Sequence, residues 1–82
     1  MSLHDEAFET IVSQISAQFG KSADELSEAT KFEADLGFKS VNYVLLSSAL
    51  EDEFEVEVPY MDLKRSETLG EAADFVVSQL EQ

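Results

Sequence analysis

Cysteine is absent from the 82 residues, so neither a disulfide nor a thiolate metal site can form. The single histidine, His4, cannot build a zinc centre without other soft ligands. Basic residues are scarce, 5 Lys and Arg against 18 Asp and Glu, for a net charge of -13. That balance excludes phosphate-driven nucleic-acid binding and disfavours anionic membrane surfaces. No apolar run reaches membrane-spanning length, and "MSLHDEAFET" has neither a basic nor an apolar leader region. These features read as a cytoplasmic protein whose partners carry basic patches, with encounters steered by charge. Solubility alone would also account for the acidity.

What is present is a 44% apolar fraction, enough for a core and too much for a disordered acidic tail. A chain this short buries only about 60% of the surface its unfolded form exposes, so its margin is thin. The length predicts one domain, residues 1–82.

Leu3, Ala7, Phe8, Ile11, Val12, Ile15 and Phe19 recur at helical spacing. Ser2 is placed to cap that helix, Asp5 and Glu6 suit its positive end, and Gly20 stops it. Periodicity lapses over 21–39, where Leu26, Phe32, Leu36 and Phe38 are the apolar anchors and "SADEL" offers a short turn. A second helix is predicted over 40–54 from Val41, Val44, Leu45, Ala49, Leu50 and Phe54. "FEVEVP" alternates like a strand but has no partner strand, so it is expected to be an extended connector. A short helix near 60–65 follows. A last helix is expected behind Thr68, with Glu71 completing a capping box. Its buried face is Leu69, Ala72, Ala73, Phe75, Val76 and Leu80. The expected fold is all-α: a small four-helix bundle of three longer helices and one short one, with a long loop between the first two.

Autonomous catalysis is not expected. Ser40 in "GFKS" lacks the G-x-S-x-G elbow, and the only histidine lies in another helix. The acids Glu51, Asp52, Glu53, Glu55 and Glu57 lack calcium-loop spacing, so no metal site is assigned. Ser40 at a helix start is either a plain cap, a contribution of about 1 kcal/mol, or a point of attachment.

"FEADLGFKSVNYVLLSSALEDEFEVEVP" resembles the acyl carrier protein signature. An Asp-Leu-Gly, two residues, a Ser and a helix are followed by acids, a Phe and a Val-Pro, and the similarity extends over nearly the whole chain. The resemblance implies a non-enzymatic carrier. Its phosphopantetheine is attached to Ser40 by a phosphopantetheinyl transferase using coenzyme A, and holds acyl groups as thioesters. Acyl-loading and acyl-processing enzymes are the implied further partners of a monomer. The arm would bring the thiol that the sequence lacks, and its phosphodiester would sit in the favourable field of a helix N-terminus.

The sequence departs from the family at Lys39, where Asp is usual, and at Val41, where Leu is usual. Asn42, Tyr43 and Leu45 stand where acids are common, and Glu51, Asp52 and Glu53 lie at the far end of the helix. Lys39, Val41, Asn42, Tyr43, Leu45, Glu51 and Asp52 form the expected docking set, with Tyr43 and Leu45 as an exposed apolar patch. Reversing one charge at contact shifts an interaction by roughly 1–4 kcal/mol before screening. The implied role is therefore a discrete carrier for a specialised fatty-acid, polyketide-type or related pathway. An acidic interaction module that has lost the modification is the alternative. A stored acyl chain would lie against Phe32, Leu46, Leu50, Val58, Leu63 and Phe75, which also read simply as core.

Overall fold

The structure is a computed structural model and describes residues 2–82. Among these residues four helices follow one another: α1 (Leu3–Phe19), α2 (Ser40–Phe54), α3 (Tyr60–Lys64) and α4 (Leu69–Leu80). A 3-10 turn, Ala23–Glu25, interrupts the long loop after α1. Among the described residues no strand forms, and residues 55–59 connect α2 to α3 without regular structure.

Local chemistry sets the helix ends. The Ser2 hydroxyl accepts the Asp5 N–H at 3.1 Å, and Gly20 closes α1 at φ 70°, donating to the Ser16 carbonyl. Thr68 caps α4 by accepting the Glu71 N–H at 3.2 Å. Glu71 reaches back one residue further than a capping box requires, accepting the N–H of Glu67.

α1 packs against α4 and α2, and α2 packs against α3. Ile11, Ile15, Leu46, Leu50, Val58, Leu63, Leu69 and Val76 are fully enclosed between them. Each such side chain contributes roughly 1.5–3 kcal/mol relative to exposure, and a chain this small relies on nearly all of them. The long loop is tied down rather than loose. Phe32 N–H donates to the Glu67 carbonyl and Leu69 N–H to the Thr30 carbonyl, which pins the loop to the α3–α4 junction.

The buried face of α2 departs from expectation at Tyr43, which turns inward, and at Val44, which is exposed beside Val41 and Leu45. Leu46, Ser47 and Leu50 face inward with Tyr43. α2 is apolar on both faces, so spacing alone does not choose between them. The choice comes from an aromatic cluster: Phe38 lies 4.9 Å from both Phe32 and Tyr43, and Phe19 stacks on Phe38 at 5.3 Å. Tyr43 completes that cluster and turns its helix face with it.

Candidate attachment site and docking surface

Ser40 is the first residue of α2, and Lys39, not Ser40, occupies the N-cap position. The cap is made from the other direction, by Asn42 Oδ1 accepting the Lys39 N–H at 2.8 Å. The Ser40 hydroxyl is therefore exposed and not engaged in capping. Gly37, at φ 69°, makes the turn into this helix, with its N–H on the Glu33 carbonyl. Apart from its chain neighbours, no heavy atom of the described residues lies within 4 Å of where a Gly37 side chain would begin, so the turn three residues before Ser40 is open there.

The electrostatics at this end favour an anion. The first turn of α2 holds no acidic residue, whereas α1 and α4 carry Asp5, Glu6 and Glu71 there. Lys39 is exposed beside it. A phosphodiester on Ser40 would meet the helix dipole and an ammonium and no carboxylate of that turn, so the residues fit the group.

Val41, Val44 and Leu45 are 61%, 43% and 51% exposed, and they form an apolar strip directly after Ser40. Tyr43 does not belong to it: at 1% exposure it is a core residue and leaves the docking set. Its hydroxyl donates to Glu33 Oε2 at 3.5 Å. Burial, and secondarily the Glu33 charge, pushes its pKa up to about 12, so it stays a neutral donor. Asn42 is half-buried, and both ends of its amide are engaged, Oδ1 by Lys39 and Nδ2 by Gln18 Oε1 at 3.0 Å. Its role at this end of α2 is structural.

Glu51 likewise turns inward. It is half-buried, and its Oε2 accepts the Val58 N–H at 2.8 Å, while the Ser47 hydroxyl donates to the Val58 carbonyl. These two bonds hold the "EVEV" connector on α2. Asp52 and Glu53 are exposed at the distal end. Of the expected pocket residues, Phe32, Leu46, Leu50, Val58 and Leu63 are fully enclosed and Phe75 is half-buried. They pack as core, and none of them lines the surface clefts beside Lys31 and Lys64, beside Thr10 and Glu53, or beside Phe8 and Val12.

Sequence reasoning missed Val44 as a strip member, although its spacing from Val41 signalled it. It also missed the capping role of Asn42, whose signal is a short polar side chain three residues after the cap.

A family model described as a phosphopantetheine attachment site matches residues 9–76. The chain belongs to the acyl carrier protein family. It is similar to the acyl carrier protein of Sulfurovum sp. (strain NBC37-1), 37% identical over 76 residues, covering 93% of this chain and 96% of that one. The acyl carrier protein of Lactobacillus johnsonii is 34% identical, covering 90% and 92%. That of Chlorobium luteolum is 32% identical, covering 94% of each.

As an acyl carrier protein, the chain bears covalent phosphopantetheine and is a carrier rather than a catalyst. Its working partners are the transferase that installs the arm and enzymes that process acyl groups. No helix among the described residues is long and apolar enough to cross a membrane.

Proposed function

We propose that Ser40 carries the phosphopantetheine arm and that the protein serves a specialised acyl pathway as a monomer in the cytoplasm. The arm supplies a thiol on which acyl groups ride as thioesters. The chain's own residues present it: α2 holds Ser40 at an open helix end, and Lys39 pairs with the negative charge placed there. The enzymes that receive the arm would dock on Val41, Val44 and Leu45, with Lys39 at the rim.

The observation that carries this reading is the apolar strip, directly after Ser40, on a turn without acids. A partner reading a strip of this kind gains by covering apolar surface. A partner built to read acids beside the serine would instead meet Lys39. The distal acids Asp52 and Glu53 remain for long-range attraction of basic surfaces. A cargo chain lodged between the helices would have to part Leu46, Leu50, Val58 and Leu63 from one another.

The intact mass of protein isolated from its own host tests the pathway assignment. A phosphopantetheine adduct bearing an acyl group other than a simple saturated chain is the expected result. A ladder of saturated acyl masses would identify a general fatty-acid carrier instead.

A further inference from the structure

A cleft of about 310 Å³ opens where the loop residues Lys31, Glu33 and Ala34 face Lys64, Arg65, Ser66 and Glu67, with Tyr43 also lining it. Three of the chain's five basic residues meet there, which leaves only Lys21 and Lys39 for the rest of an otherwise acidic molecule. Lys31 is paired with Glu67 at 3.4 Å, and Arg65 with Asp62 at 3.3 Å. Among the described residues Lys64 makes no ion pair, and both Lys64 and Arg65 are exposed. Tyr43 stands one helical turn after Ser40, so the cleft lies within reach of a group tethered at that serine.

We propose that this cleft receives the free end of a short acyl cargo ending in a carboxylate. Lys64 and Arg65 are the cations that meet it, and the Tyr43 hydroxyl is a donor beside them. This assignment rests on attachment of the arm at Ser40. Two carboxylates, Glu33 and Glu67, share the lining, and the net charge of -13 repels free anions. A free dicarboxylate would bind poorly against that field. A tethered one is present at an effective concentration of order millimolar or above, whatever the bulk concentration. The source of the anion is therefore the carrier's own cargo. The single Tyr43 O–H proton now goes to Glu33 at 3.5 Å, so the hydroxyl serves the cargo by exchanging the Glu33 carboxylate for the cargo's.

The test compares the protein loaded with succinyl and with butyryl phosphopantetheine, equal in carbon count and different at the free end. Intact mass establishes loading, and amide NMR shifts read the position of the cargo. Succinyl loading should shift residues 31–34 and 64–67, butyryl loading should not, and Lys64→Gln with Arg65→Gln should reduce the shifts at least about twofold. Both side chains are exposed, so the double variant should keep the fold, which the remaining amide signals verify. Equal shifts from both cargoes, or shifts that survive the double substitution, would overturn the proposal. So would the same shifts from millimolar free succinate on unloaded protein, which would mark a site for free anions. Failure to gain mass would overturn the Ser40 attachment itself, and this proposal with it.

Discussion

The backbone N–H of Lys39 donates to the side-chain oxygen of Asn42 at 2.8 Å, and this bond relieves Ser40 of the capping role. A helix must satisfy its first N–H groups somehow, and a serine at its mouth is the usual means. Here a residue inside the helix does that work by reaching back. The serine hydroxyl is left facing solvent at the positive end of α2.

Asn42→Ala should therefore destabilise the fold by about 1–2 kcal/mol, since it removes the cap and the Gln18 contact together. Gln18 Nε2 is already buried without a partner among the described residues, so the loss would leave both ends of its amide unmatched. In a domain of this size each 1 kcal/mol lowers the melting temperature by about 4–8 °C. Thermal denaturation of the variant reads this directly, and an unchanged midpoint would refute the capping role.

His4 accounts for a pH dependence. Its Nε2 and Nδ1 lie 2.8 Å from Glu28 and Asp74, clasping the start of α1 to the long loop and to α4. The Glu28 hydrogen bond above all, and the Asp74 bond against partial desolvation, raise its pKa above 6.5. A raised folded-state pKa gives stability that is complete below about pH 6.5 and fades as pH climbs through the folded value. The melting temperature of the protein, relative to His4→Gln, should thus be higher near pH 6 than near pH 8.5. Parallel curves for the two proteins would show that the clasp contributes nothing.

Gly70→Ala should destabilise α4, although alanine favours helices by nearly 1 kcal/mol. A methyl group there would stand 2.9 Å from Glu28 Oε1 and 3.1 Å from the Glu28 carbonyl oxygen. The carboxylate can swing away only by loosening its bond to His4, and the carbonyl is held by the Gly70 N–H at 3.0 Å. A net loss of about 1–2 kcal/mol in urea unfolding is expected. A gain in stability would mean that the loop yields more readily than this packing indicates.

Lys39→Asp should speed modification by a transferase of broad specificity, by up to about tenfold in kcat/KM. Lys39 is exposed, so its replacement changes the surface a partner meets and little of the packing. An unchanged or slower rate would remove Lys39 from partner selection.

The helix boundaries were legible because their determinants are local: Ser2, Gly20 and Thr68 act on neighbours within a turn. The placement of Tyr43 and Val44 on α2 was not. Val41, Val44 and Leu45 compete with Tyr43, Leu46 and Leu50 for the interior on nearly equal apolar terms, and Phe32 and Phe38 decide the matter from a distant loop. The same limit applies to Glu51, whose inward role depends on where Val58 returns to α2. The cleft of Lys31, Lys64 and Arg65 has no linear signature, because folding alone brings residue 31 beside 64–67.

Intact mass after incubation with coenzyme A and a broad-specificity transferase tests attachment at Ser40 most directly. Ser40→Ala should fold normally, with stability within about 0.5 kcal/mol of the original, because the hydroxyl neither caps nor packs. A phosphopantetheine mass gain on the original chain and none on Ser40→Ala is the expected result. No gain on the original chain, or a gain that persists in the variant, would contradict attachment at Ser40.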